Sequence, residues 1–492
     1  MSAGPAKDLT NDKPQTIKEI IVPLITIILG LFMVVLDGSA VNVALPKLST
    51  AFDSSLNTLQ WTVTGYVLAN AAVIPLAGWL SDRFGAKQIF LFSVGFFTLG
   101  SLLCAIATDP TQLIIYRIIQ GVGGGMVMPI AFAFIYKLSP PAKVGAVMGI
   151  MGIPVLLAPA LGPLLAGWLV DYATWQWIFI INIPIGILAT IIGIRSLPNI
   201  ERQAVKGLDI WGMLLAPIAF AGLSYGVSEG VHGWSSTKTV TGLTIGIIAL
   251  VLFVIVELRH KQPILELRVF KSMDFSKAIV IQWISQIALF GSMFIVPLFL
   301  QQAQNYSAFD TGLIMLPQAL AAAIFMPISG ALFDKIGARP LVMAGMAFVT
   351  VATFMLTRLS AADGVSTLIL PLALLGAGMG LSLMPLNTHL IQASPPNLVG
   401  RVTSLTNAAQ QVMNSFAVAG LMTILTSNLK TFMPADGKPT IETWTDSFSG
   451  TFKVLVYIAI VGVILGIMLK KPKKAAGEEA SAEQLEASKM FI

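Results

Sequence analysis

Charge is scarce in this chain. Of 492 residues only 11% are Asp, Glu, Lys or Arg, against 55% hydrophobic. A soluble domain carries about 25% charged residues, so a water-facing globule is excluded. Cysteine is scarcer still: the single Cys104 lies inside an apolar run, which excludes an intramolecular disulfide and a cysteine-based zinc site. His232, His260 and His389 are far apart and share no ligand spacing, so no metal centre is expected. No Gly-x₄-Gly-Lys-Ser/Thr loop occurs, which leaves ATP drive without support. The glycine-rich Gly121–Gly125 sits within an apolar run rather than after a strand, so it does not read as a nucleotide loop. No loop is long enough to hold a folded soluble domain.

What the chain has instead is long apolar runs, with charges confined to the gaps. Fourteen runs can be drawn, from 20–43 to 449–469, each long enough to cross a bilayer as a helix. With both termini on one side, that side collects 23 of the 30 Lys and Arg, the other side six, and Arg117 is left inside a run. The positive-inside rule then puts both termini in the cytoplasm. The basic balance is thereby topological and implies no nucleic-acid partner. The first run is too long for a signal-peptide core and is followed by no small-residue cleavage pattern, so it reads as a retained helix.

Two motifs recur. Gly78-Trp-Leu-Ser-Asp82-Arg83-Phe-Gly85-Ala-Lys87 returns 252 positions later as Gly330-Ala-Leu-Phe-Asp334-Lys335-Ile-Gly337-Ala-Arg339. Gln120-Gly121-Val-Gly123-Gly-Gly125 in the fourth run matches Leu375-Gly376-Ala-Gly378-Met-Gly380 in the twelfth, at an offset of 255. Two motifs at nearly one offset imply duplication, and duplicated halves in a membrane imply a machine that rocks about a central site. The expected plan is an all-α polytopic membrane protein. A tail at 1–19 precedes a six-helix bundle at 20–200. Two inserted helices and a linker occupy 201–272, a second six-helix bundle 273–470, and a tail 471–492. The loop 257–277, with bases, acids and apolar residues interleaved, is expected to form a short interfacial helix.

At these motifs the chain resembles the major facilitator superfamily, and within it the fourteen-helix drug/proton antiporters. Gly78–Lys87 is similar to the family's loop after the second helix, and Arg117-Ile-Ile-Gln120-Gly121 to its motif in the fourth. Ala158-Pro159-Ala-Leu-Gly162-Pro163-Leu-Leu-Ala-Gly167 resembles the antiporter motif of the fifth, with Ala166 where the family usually has Gly. The stretches Leu36–Pro46, Gln60–Tyr66 and Trp175–Gly186 resemble signatures of the fourteen-helix branch. The resemblance implies proton-coupled export of amphipathic, often cationic, compounds by alternating access, with multidrug efflux and antibiotic resistance as consequences. It implies no cofactor beyond the proton gradient, a bacterial plasma membrane, and function as a monomer. A dedicated exporter of one endogenous metabolite, lipid-like molecule or antibiotic is the alternative, and a non-transporting receptor or scaffold a remote one.

Chemistry-bearing residues stand out against the apolar background. Asp37 lies deep in the first run, where an ionised carboxylate costs on the order of 2.5–3.5 kcal/mol, and is the candidate proton carrier. Arg117, the only base inside a run, cannot shed its proton in practice; an electrostatic link between it and Asp37 is expected to couple protonation to conformation. A structural Arg bonded to carbonyls is the alternative. One deep acid suggests one proton per cycle and a neutral or monovalent substrate.

Asn407, Gln410, Gln411 and Asn414 fall on one helix face and are expected to line a cavity or bond between helices. Gln282 and Gln286, with Met293 and Phe294 farther along, and Asn42, Trp61 and Tyr66 complete the cavity candidates. Gly78, Asp82, Arg83, Gly85 and Lys87, with Gly330, Asp334, Lys335, Gly337 and Arg339, are expected to be two cytoplasmic latches. In each, the Asp would cap a neighbouring helix and pair with a base. Pro159, Gly162, Pro163 and Gly167 belong to a glycine–proline stripe suited to close helix approach and kinking.

Overall fold

A computed structural model describes residues 17–200, 209–359, 364–395, 398–434 and 440–469. The tails lie almost wholly outside it. Fourteen helices long and apolar enough to span a bilayer occur among these residues. In order they are α1 Ile21–Ala51, α2 Leu56–Phe84, α3 Ala86–Ala105, α4 Pro110–Leu138 and α5 Val144–Tyr172. Next come α6 Trp177–Ser196, α7 Ile210–Glu229, α8 Thr237–Arg259 and α9 Met273–Gln302. Then follow α10 Phe309–Ile336, α11 Ala338–Leu356, α12 Val365–Gln392, α13 Val399–Phe432 and α14 Ile441–Gly466. Two of them are interrupted: α6 into Trp177–Ile180 and Asn182–Ser196, and α10 into Ala308–Ile314 and Leu316–Ile336.

Helix starts follow from short polar residues. Ser55, Asp109, Ser236, Ser272 and Thr440 each accept a hydrogen bond from a backbone N–H of the first turn, satisfying donors that would otherwise be orphaned. At the base of α2 and of α10 the chain must turn sharply into the next helix. Gly85 (φ 100°) and Gly337 (φ 78°) make those turns in backbone that side chains avoid.

The repeat is visible in the packing. In the first half α2 packs on α4, α3 on α4 and α6, and α1 on α5 and α6; shifted by eight, α10 packs on α12, α11 on α12 and α14, and α9 on α13 and α14. The halves meet along two seams, α5 with α10 and α2 with α13. The two extra helices form a hairpin whose α7 packs on α2 and α13, so it covers the second seam. Glycines let the hairpin close: a methyl on Gly226 would stand 2.4 Å from the Leu243 nitrogen, and one on Gly246 2.6 Å from that of Leu223. Small-x₃-small spacing on both helices replaces side-chain interdigitation by backbone contact.

The linker after α8 departs from the sequence expectation. It holds only a short 3₁₀ turn, Leu267–Lys271, and its apolar residues Ile264 and Leu265 are fully buried. The segment is tucked into the protein rather than laid on an interface.

Candidate coupling site and latches

Asp37, Arg117, Gln120, Asn182 and Ser101 form one polar cluster inside the first half, drawn from α1, α4, α6 and α3. Asp37 and Arg117 are each 1% exposed. Arg117 Nη1 donates to Asp37 Oδ2 at 2.5 Å and to Gln120 Oε1 at 2.6 Å, and its Nε donates to the Thr62 carbonyl at 3.2 Å. The other carboxylate oxygen, Oδ1, accepts from Gln120 Nε2 at 3.0 Å and Asn182 Nδ2 at 2.9 Å. Gln120 Nε2 also donates to Ser101 Oγ at 2.7 Å. The guanidinium lies 4.0 Å from the centre of the Tyr66 ring, a cation–π contact strengthened by desolvation.

This explains how two charges sit in an apolar bundle. Burying an ion pair is tolerable only when geometry is good and the remaining lone pairs and N–H groups are satisfied. Here Oδ2 of the carboxylate takes one hydrogen bond and Oδ1 two, and the guanidinium donates three. Beside Asp37, between α1, α5 and α6, is a void of about 10 Å³, near the lower limit for one water. The antiporter-like stretch of α5 meets α1 at this point: a methyl on Gly162 would lie 1.9 Å from Ser39 Oγ and 3.2 Å from the Leu36 carbonyl. Gly162 therefore seats α5 against the turn that carries Asp37. Gly167 does not pack in this way, since a methyl there would meet nothing within 4 Å.

The two repeated turns bridge the halves at one end of the bundle. Asp334 Oδ1 and Oδ2 accept from the backbone N–H groups of Gly145 (2.8 Å) and Ala146 (3.0 Å), capping the start of α5 across the first seam. Asp82, 3% exposed, pairs instead with Arg401 Nε at 3.1 Å at the start of α13, and Ser404 Oγ accepts from Gly78 N–H at 2.7 Å. At both seams the backbones touch. A methyl on Gly330 would fall 2.2 Å from the Gly145 carbonyl oxygen, and one on Gly78 2.3 Å from that of Gly400. The bundle is thus closed at the end carrying these turns.

Several expected latch bases act elsewhere. Arg83 lies over the Trp79 and Phe84 rings at 5.4 and 5.7 Å. Lys87 donates to the Ile194 carbonyl at 2.7 Å, within its own half. Lys335 and Arg339 are exposed. Arg401, which in the sequence reads only as a topology charge, is the partner of Asp82. A signal was present: Val144-Gly145-Ala146-Val147 and Val399-Gly400-Arg401-Val402 stand 255 positions apart, the offset of the span-four repeat.

The amides of the second half are largely joined to one another. Gln282 Nε2 and Gln410 Nε2 both donate to Asn387 Oδ1, at 2.6 and 3.2 Å, and Gln286 Nε2 donates to Asn414 Oδ1 at 2.8 Å. Asn407 donates to the Thr403 carbonyl of its own helix at 2.7 Å. Asn387 was not singled out from sequence, since no polar residue stands three or four positions from it on α12. Gln411 and Phe294 are half-buried. Asn42 is exposed. Trp61 is 42% exposed and stacks on Tyr225 of α7 at 6.2 Å, so it marks the covered seam rather than a cavity.

A cavity of about 100 Å³ lies between the halves, where Leu156 and Pro159 of α5 face Met293, Pro297, Met315 and Met379 of the second half. Met293 and Pro159 are the sequence candidates that it includes. Along α5 and α10 it stands on the far side of the Gly145–Gly330 contact from the latched end.

These features define a multi-pass membrane protein of two repeated helical halves, latched at one end, with a buried ion pair in one half and a cavity between the two. The chain belongs to the Major Facilitator Superfamily, whose family model matches residues 27–418. It is 39% identical over 406 residues to the uncharacterized MFS-type transporter YhcA of Bacillus subtilis, covering 82% of this chain and 76% of that one. It is 36% identical to a multidrug resistance protein B homolog of Mycobacterium tuberculosis, over 81% and 75% of the two chains. To the lincomycin resistance protein LmrB of Listeria innocua it is 31% identical, over 90% and 95%. Among solved structures, the proton:xylose symporter XylE superposes with a TM-score of 0.64 at 15% identity, covering 93% of this chain and 97% of XylE; at that identity the likeness speaks for the fold alone.

Proposed function

We propose that the protein is a proton-driven exporter of small amphipathic, drug-like compounds, working as a monomer in a bacterial plasma membrane with both termini in the cytoplasm. The observation that carries the coupling is the Asp37–Arg117 pair. A proton arriving on Asp37 cancels its charge, weakens the bond to Arg117 and leaves the guanidinium to Gln120, Thr62 and Tyr66. Release of the proton restores the pair. Because Asp37 takes bonds from α4 and α6 and Gly162 seats α5 beside it, this exchange alters packing among α1, α4, α5 and α6. Helix α5 carries that change to the α10 seam, where Asp334 caps it. Names among the relatives, multidrug resistance and lincomycin resistance, support drugs as the cargo. The positive-inside bias supports the orientation, which makes the latched end cytoplasmic.

The test is uphill export from proteoliposomes under an imposed pH gradient, with a panel of neutral and cationic dyes. Wild type should move at least one dye against its gradient, and Asp37→Asn should allow only downhill exchange. Uphill export by Asp37→Asn would remove Asp37 from coupling.

A further inference from the structure

The inter-half cavity carries chemical information of its own. Among the described residues no Asp, Glu, Lys, Arg or His lines it. Two of its polar atoms are buried without a partner: Thr311 Oγ1 and Gln318 Oε1, on residues 3% and 5% exposed. They stand on either side of Met315, where α10 is interrupted, and both line the cavity. The amide nitrogen of Gln318 is spent on the Met379 sulfur, at 3.4 Å. Around these atoms the wall is made by Met293, Met315 and Met379 with apolar neighbours, and methionine is the most adaptable of apolar linings.

Buried polar atoms are normally hydrogen-bonded, and an unsatisfied one needs an explanation. Two such atoms on residues lining one apolar cavity have a simple one, namely a ligand that brings the missing partner. We infer that this cavity receives the uncharged end of the exported compound, an aromatic or alkyl group bearing one hydroxyl or amide N–H. Gln318 Oε1 accepts from it and the Thr311 hydroxyl makes a second bond. A fixed cation is disfavoured because it would lose its hydration with no counter-charge in reach. The Asp37 carboxylate does not serve, being held within the first half by three hydrogen bonds. The volume of about 100 Å³ is below the roughly 300–1,000 Å³ of drug-sized pockets, so the cavity takes one end of a ligand and not the whole.

The inference rests on the exporter reading for its biological meaning, but its test is an equilibrium one. Binding of three probes sharing one ring system is measured on the purified full chain: naphthol, methoxynaphthalene and naphthyltrimethylammonium. Naphthol should bind about five- to tenfold more tightly than methoxynaphthalene, the worth of one hydrogen bond to a buried acceptor, and more tightly again than the ammonium. Gln318→Leu should abolish the advantage of naphthol over methoxynaphthalene, Thr311→Val should reduce it, and Gln318→Glu should turn the preference toward the ammonium.

The assignment is overturned if the ammonium binds wild type as tightly as naphthol, or if both variants keep the wild-type order with an unchanged melting temperature. Should a variant fail to fold, the probe order on wild type decides alone. If the order holds but no probe or dye is exported uphill, the exporter reading fails and the site stands. If the ammonium is exported uphill while naphthol does not bind, the site fails and the exporter reading stands.

Discussion

Adding one methyl group at Gly330 should open the latched end. In Gly330→Ala the new carbon would lie 2.2 Å from the Gly145 carbonyl oxygen and 3.1 Å from the Gly149 α-carbon. Both obstacles are backbone, so no rotamer change relieves them. Real contacts of this kind begin a little above 3 Å, so α5 and α10 must separate by about 1 Å, in the range where overpacking costs about 1–3 kcal/mol. The same displacement stretches the bonds from Gly145 and Ala146 N–H to Asp334, now 2.8 and 3.0 Å, and hydrogen bonds to a charged group contribute about 1.5–3 kcal/mol each. A combined loss of about 3 kcal/mol shifts the balance between closed and open ends by roughly a hundredfold.

The assay is the distance between spin labels on Gln88 and Arg339, exposed residues at the starts of α3 and α11, with Cys104 replaced. The distribution should move to longer distances in Gly330→Ala. It should stay put in the control Gly95→Ala, where an added methyl meets nothing within 4 Å. An unchanged distribution in Gly330→Ala, in protein that still folds, would refute the latch argument.

Three further outcomes are expected. Arg117→Gln should lower stability by about 3–5 kcal/mol, the cost of stranding a buried charge; a second change, Asp37→Asn, should restore part of that loss, read as a non-additive double-mutant cycle in thermal unfolding. Arg401→Ala should cost less, about 1–2 kcal/mol, because the first-turn N–H groups of α13 can cap Asp82 as those of α5 cap Asp334; a loss as large as that of Arg117→Gln would sink this comparison. Gly226→Leu should detach the α7–α8 hairpin from close packing and raise the proteolytic sensitivity of the loop at Gly233, while leaving the melting temperature of the remaining bundle within a few degrees.

The number of helices and their pairing into halves were legible because bilayer thickness imposes a length on every apolar run, and because the Gly-x₃-Asp-x₂-Gly turn recurs. Asp37 and Arg117 were legible as isolated charges in apolar surroundings, and the structure joins them directly. Their supporting groups were harder to assign. Gln120 and Asn182 stand in recognisable motifs, but nothing in local spacing says that helices α4 and α6 aim both amides at one oxygen of α1. The latch partners were partly misread for a related reason. A base next to Asp82 in sequence points away from it along the helix, and the base that reaches it comes from 319 positions farther on. Cavity lining was the least legible. Of the amide face of α13, Gln410 and Asn414 bond to α12 and α9 and Asn407 to its own helix, whereas the cavity is built by methionines and by Thr311 and Gln318, on either side of the break in α10.

The two halves are alike where they meet and unlike where they carry charge. Each seam has an Asp turn, a glycine pair in backbone contact and a Val-Gly helix start facing it. Asp37 and Arg117 have no such counterparts: at the offset of the span-four motif Arg117 maps to Leu372 and Gln120 to Leu375. The second half holds amides at its centre, joined as Gln282–Asn387–Gln410 and Gln286–Asn414. Amides neither gain nor lose a proton, so that network can fix helix positions but cannot be driven by a gradient. Duplication is therefore visible in the seams, whereas the Asp37–Arg117 pair has no copy at the matching positions of the second half. Helix α5 touches both the Asp37 turn through Gly162 and the opposite half through Gly145, Gly149 and Gly152, and α4, which carries Arg117, packs on α13, so under the proposed coupling both seams lie within reach of the pair. The second seam is sheathed by α7 and tied by the buried Asp82–Arg401 pair. The cavity lies at the other seam, where Asp334 caps α5.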